Sequence, residues 1–398
     1  MSDHQHVPEA EKYDLAKAGG LPKLLLGAGV VGLVGSLIGA FVSQTQFAYS
    51  WLFGFTYFFT ICAGCLFWTC VHHATDSEWS VVVRRQLENV VGLIPYLFLF
   101  FIPVILCFGI LYKWWNLGPG VDPLLDKKQP YLSHGFFYLR VALYFLLMSW
   151  VGHSLRRLST RQDADGAARH SLAMRKFGIG GIPVVALSVT FAGFDWLMGL
   201  DFHWFSTMWG VYIFAGAAGS SMSLLVLIVT GLKSQGYLKV VNEEHYHMMG
   251  KWMLAFTIFW AYIGFDQYML IWYANIPEEN IYFIIRNTGN WWFLSFGLVL
   301  FRFFIPFPIL LTQWVKKSPQ YLKYMALWIL FMQLVDVFVI VLPVLHKTGF
   351  SFTDVLFSIF PLLGIGGILG WLFFRNLTAS YLFPTKDPRL AGSLKMTN

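Results

Sequence analysis

Residues 244–279 read EHYHMMGKWMLAFTIFWAYIGFDQYMLIWYANIPEE. A polar start carrying His245 and His247 leads into a long apolar run. That run is about 25 residues, enough to cross a hydrocarbon core of about 30 Å. Lys251 stands near one end and Asp266 deep inside. An ionisable side chain in an apolar span is costly, so it marks a functional site by default. The segment leaves through aromatic residues and a Pro277-Glu278-Glu279 turn. It reads as a membrane helix, with the rest of the chain as a scaffold of similar helices.

The composition agrees. Of 398 residues, 57% are hydrophobic, 19% aromatic and only 12% charged. A soluble domain carries about 25% charged residues, so most of this chain has lipid as its solvent. The net charge of +7 does not point to nucleic acid, because the basic residues are spread between apolar spans rather than gathered on one module. Cys62, Cys65, Cys70 and Cys107 all lie in apolar spans, which suits buried free thiols better than disulfides. Cys62 and Cys65 alone do not make a metal site, since structural zinc wants four ligands.

Working outward, residues 1–23 form a polar tail with His4 and His6, expected to be flexible. Ten spans follow at roughly 24–43, 48–71, 91–112, 134–157, 178–200, 207–232, 250–274, 287–312, 321–344 and 353–376. The first is longer than a secretory apolar core and is expected to be retained. Residues 377–398 form a second tail. The loops on the side of the termini hold about 21 Lys and Arg, and those on the other side about 5. That bias predicts both termini of a multi-pass membrane protein in the cytoplasm. The segment from Glu78 to Gly92, with Arg84, Arg85 and Glu88, predicts a short amphipathic helix lying in the interface. A polar start to the third span is the alternative. Residues 113–133, with Gly118-Pro119-Gly120 and Asp122-Pro123, suit turns. Gly35 and Gly39 in the first span, and Gly366 and Gly370 in the last, permit close helix approach. They suggest that these two spans pack against partner subunits.

The buried charges fall into two layers. Asp195, Asp266 and Asp336 lie roughly 22–26 Å from the cytoplasmic ends of spans five, seven and nine at 1.5 Å per residue. Arg140 of span four joins them from the other side. The inner half holds Lys251, His153, His72 with His73, and Arg302. Carboxylates in a dry site are suited to take and release protons, and His titrates near neutrality. Water between such groups could complete a proton path. The plainer reading is that Arg140 and one aspartate form a buried ion pair that fixes packing. His72 or His73 with His153 could bracket a haem, but residues at span ends more often meet water or headgroups. Phe194 to Gly210 puts Asp201, His203 and several Trp at the outer interface, as anchors beside a polar surface.

Four features together resemble a known family. They are FAYSWLFGFTYFFTICAGCLFWTCVHH with WSVVVRRQLEN, FDWLMGLDFHWFSTMWGVYIFAGAAGS, the 244–279 stretch, and FPTKDPRLAGSLKMTN. In matching order they are similar to the F subunit of bacterial alternative complex III, within the NrfD-like group of polysulfide and nitrite reductase membrane subunits. The resemblance implies an all-α polytopic membrane protein with two four-helix bundles, from spans two to five and six to nine, flanked by the first and last spans. It implies membership of a quinol:electron-acceptor oxidoreductase, with a sister quinol-binding membrane subunit, multi-haem cytochrome c subunits and an iron–sulfur protein of molybdoenzyme type. Haem c and iron–sulfur clusters would then belong to the partners, and a quinone is the one cofactor this subunit itself could meet. The family carries small or neutral residues near Asp266 and Arg302, so those two are expected to pair between spans seven and eight. The rival readings are a stand-alone secondary transporter, built from inverted repeats and broken helices, and a haem-bearing cytochrome-b-like carrier. The spans read as continuous, against the transporter.

Overall fold

A computed structural model describes residues 10–397; His4 and His6 lie outside them. The described residues form an all-α polytopic membrane protein, whose only β contact is one isolated bridge between Lys12 and Tyr381. Ten helical runs are long and apolar enough to span a bilayer. Spans one to five are Leu21–Val42, Gln44–Ala74, Val81–Leu106, His134–Asp165 and Ala168–Leu200. Spans six to ten are Trp209–Ser234, Glu243–Ala274, Trp291–Leu311, Pro319–Val344 and Phe352–Thr378.

Spans two to five pack into one four-helix bundle and spans six to nine into a second. The bundles meet where spans two and five touch span six, and span nine touches span two. In its most apolar stretch, 78% of span two and 72% of span six is buried, against 22% of span seven. The molecule is therefore organised around spans two and six, and the 244–279 helix lies at its edge. A close approach explains the seam: a Cβ on Gly64 would stand 2.1 Å from the Ala217 carbonyl. Only glycine lets these two backbones meet there.

Span seven starts with a capping box. Asn242 accepts from the amides of Glu244 and His245, and the His245 ring takes the Asn242 amide. It stops at Asn275, whose φ of 50° ends the helix in a left-handed cap. The expected Pro-Glu-Glu turn is instead the first turn of a further helix, Pro277–Arg286, because proline suits a first helical position. For the same reason the 113–133 connection is not all turn. Asp122 caps a short helix, Pro123–Lys128, by accepting from Leu124 and Leu125.

The glycines of spans one and ten serve a contact between these two spans within the chain. A Cβ on Gly32 would lie 2.2 Å from the Gly364 amide, and one on Gly367 would lie 2.5 Å from that of Gly29. Gly35 and Gly39 face Phe360 and Phe357, Gly366 faces Phe58 of span two, and Gly370 faces Leu25.

The tails are docked rather than flexible from residue 10 onward. Leu382 donates to the Glu11 carbonyl at 2.9 Å, Tyr13 is buried and donates to Gln235, and Asp14 donates to Tyr237. The C-terminal tail meets three connections. Thr385 donates to Asp163, Arg389 pairs with Asp76, and Ser393 meets His245.

Candidate functional site

Each bundle holds one buried arginine–aspartate–tyrosine cluster. In the first, Asp195 of span five is fully buried. Arg140 of span four donates Nε to its Oδ2 and Nη2 to its Oδ1, both at 2.8 Å. This two-pronged geometry is the strongest a carboxylate can receive from a side chain. Tyr144, one helical turn beyond Arg140 on the same face, donates to Oδ2 at 2.6 Å. The remaining Arg140 nitrogen donates to the Tyr131 carbonyl, and the guanidinium lies 3.8 Å from the Tyr131 ring centre.

In the second bundle, Asp336 of span nine pairs with Arg302 of span eight at 2.7 Å. Tyr212 donates to Oδ1 at 2.5 Å and Trp260 to Oδ2 at 3.2 Å. Arg302 also donates to Gln333 at 2.5 Å and lies 4.1 Å from the Trp260 ring centre. Gly216 keeps the space open, since a Cβ there would come within 2.7 Å of Gln333 Oε1 and 3.1 Å of Arg302 Nη2. In both bundles the arginine comes from the third helix and the aspartate from the fourth, as a parallel repeat requires. The tyrosine breaks the repeat. It comes from the third helix in one bundle and the first in the other.

Span eight is not continuous. It runs as Trp291–Gly297, a π-helical stretch Leu298–Phe304, and Pro306–Leu311. Pro306 has no amide proton to give the Arg302 carbonyl, so the helical ladder widens around Arg302. Arg302 thereby reaches span nine at the depth of Asp336, not the inner half, and its expected pair with Asp266 does not form. The inward stripe of span seven runs through Met253, Thr257, Trp260, Ile263, Gln267 and Ile271. Gln267 occupies the inward position and accepts from Ser206 at 2.7 Å. Asp266, about 100° round the helix from it, is half-buried and makes no ion pair among the described residues. The three aspartates therefore do not share one interior.

The inner set is not assembled either. His153 and Lys251 are exposed, while His72 and His73 are buried. His72 lies between the rings of Trp68 and Trp79, with neither ring nitrogen bonded to protein. The tryptophans of the 194–210 segment, expected as interface anchors, are core residues. Trp196, Trp204 and Trp209 are all buried, and Trp204 stacks on Tyr282 at 4.0 Å. His203 does stay outside, 2.9 Å from Asp122, and this hydrogen bond holds the Asp122 carboxyl below its ordinary value.

A third charge cluster lies on the side of the termini. Every residue of Val81–Val91 is buried, so this helix is the polar start of span three, not a helix on the membrane surface. Protein covers it in place of water. Glu88 meets Arg85 at 3.0 Å, Arg84 at 3.4 Å and His73 at 3.7 Å. Arg84 reaches on to Asp387 at 2.6 Å and Arg85 to Asp163 at 2.8 Å. The sequence carried a signal for it: an acid in each of three separate segments, facing two adjacent arginines.

Asp387 clamps the C-terminal tail. Its burial works against the charged form, but Arg84 and Arg389 outweigh that and hold the carboxyl well below its ordinary value. A depressed carboxylate adds stability that is present above its unfolded value of about 4 and lost as pH falls below it. Acidification below about pH 4 is therefore expected to loosen the tail, and Asp387→Asn to loosen it at neutral pH. Hydrogen exchange of the 381–394 amides checks this. Protection unchanged by the substitution would count against the clamp.

The fold and these sites define a ten-span membrane protein with a neutralised charge cluster inside each bundle. No protein-family model and no curated protein matches the chain.

Proposed function

We propose that this chain is a membrane-arm subunit of a quinol:electron-acceptor oxidoreductase of alternative complex III type, and that its two arginine–aspartate–tyrosine clusters couple proton movement to quinol oxidation. The observation that carries the reading is the recurrence of the cluster, arginine from the third helix and aspartate from the fourth of each bundle. A neutral pair in a low-dielectric interior is tolerable. Protonating the aspartate leaves the arginine charge alone, which is not. Proton occupancy of either site is thus tied to a displacement of its arginine. The tyrosine hydroxyl on each carboxylate is a group through which the proton could be handed on. The π-helical stretch under Arg302 is a place where such movement is mechanically cheap.

A second reading has its own support. Each carboxylate is closed by its arginine and tyrosine, and such a pair can serve only to hold helices in register. In that case the chain is a passive frame for redox partners. Asp195→Asn and Asp336→Asn in the reconstituted complex separate the two. The proton reading expects electron transfer to persist while proton movement is lost. An unchanged proton-to-electron ratio would favour the frame. Co-purification with haem c and iron–sulfur subunits tests membership of the complex, and a chain that leaves the membrane alone would favour a transporter.

A further inference from the structure

On the side of the termini, two lysines meet where the start of span seven packs on the short helix Gln313–Lys317. Lys316 is 6% exposed, and its Nζ finds one acceptor, the Leu311 carbonyl at 3.1 Å. An ammonium carries three donors, so two remain unfilled. Its stem crosses Gly250, where an added Cβ would fall 2.7 Å from Lys316 Cγ. Lys251, the next residue, is exposed, and its hydrogen bond among the described residues is to the Met248 sulfur, at 3.8 Å. Lys251 directly follows Gly250, so the two lysines sit at one contact between span seven and this short helix, and burial with the charge of Lys251 pushes the Lys316 ammonium below its ordinary value. Nearby acid is already engaged: Glu244 pairs with Lys317 and meets His247 at 3.4 Å. Among the described residues neither Lys251 nor Lys316 forms an ion pair.

Two like charges held together without a counter-ion need an anion. The depth says which. Trp314, on the same short helix, is 55% exposed and packs on Tyr321, itself 51% exposed, at 4.4 Å. Exposed Trp and Tyr on a membrane helix mark the headgroup level. Basic pockets between helices at that level bind phospholipid phosphates. We propose that Lys251 and Lys316 form a binding site for the phosphate of an anionic phospholipid in the leaflet on the side of the termini, with Trp314 and Tyr321 against its glycerol and upper chains.

The test uses the purified protein, in whatever assembly it leaves the membrane, titrated with phosphatidylglycerol or phosphatidylcholine of the same chains and followed by native mass spectrometry. Phosphatidylglycerol should bind the wild type in clear preference. Lys251→Gln and Lys316→Met, which keeps the stem on Gly250, should each weaken it about fivefold, and Lys323→Gln should not. Lys251 is exposed, so its variant tests the site even if the Lys316 variant fails to fold. Equal binding of both lipids, or undiminished binding by the Lys251 variant, would overturn the proposal. An arm with inorganic phosphate separates the sources. Competition by millimolar phosphate at the same lysines, without lipid preference, would make this a free-phosphate site and defeat the lipid assignment.

Discussion

Arg140→Ala will destabilise the protein by about 3–5 kcal/mol, the cost of leaving a buried carboxylate without its partner. Asp195 is fully buried and receives both prongs of Arg140. With the arginine gone, Tyr144 is the one donor left to it among the described residues. One hydroxyl cannot offset a full charge at low dielectric, so the site must either take a proton or open to water. Arg140→Met combined with Asp195→Leu removes both charges and keeps the volume, so it should be milder than either single change. Thermal unfolding of the purified variants gives the comparison. If the double change is as harmful as the sum of the singles, charge pairing is not what holds spans four and five together there.

This expectation has a counterpart in what the sequence could and could not tell. Hydropathy is a one-dimensional quantity, and it gave the ten spans. It also left open the pairing of Arg140 with an aspartate, and that pairing is what forms. Azimuth is a different matter. Whether a residue faces in or out turns on about 100° per position. Asp266 and Lys251 each sit one position away from the inward residues Gln267 and Gly250. Arg302 departs from the 3.6-residue projection for a related reason. The π-helical stretch rotates everything after Leu298 relative to a 3.6-residue projection, which no periodicity argument anticipates. The glycine stripes of spans one and ten were read correctly as close contacts, but their spacing does not say whether the other backbone belongs to the same chain.

Glu88 was legible as a polar residue and not as a buried one, because its cover comes from segments far along the chain. Glu88→Ala is expected to cost about 3–5 kcal/mol, as for other broken buried pairs. Three arginines and three acids meet around this helix: Arg84, Arg85 and Arg389 with Glu88, Asp163 and Asp387. Removing one acid leaves one positive charge in excess among side chains that are almost wholly shielded from water. Arg84 and Arg85 keep Asp387 and Asp163, but lose the buried negative charge that faces both of them. Glu88→Gln, which keeps the shape and one accepting oxygen, should cost less, because it loses the charge without leaving a hole. The damage should also travel. Arg84 ties Asp387 of the tail and Arg85 ties the end of span four, so tail amides near 381–394 should lose exchange protection together with those near 159–165. Protection lost only within 81–91 would mean that Glu88 holds its own helix and nothing beyond it.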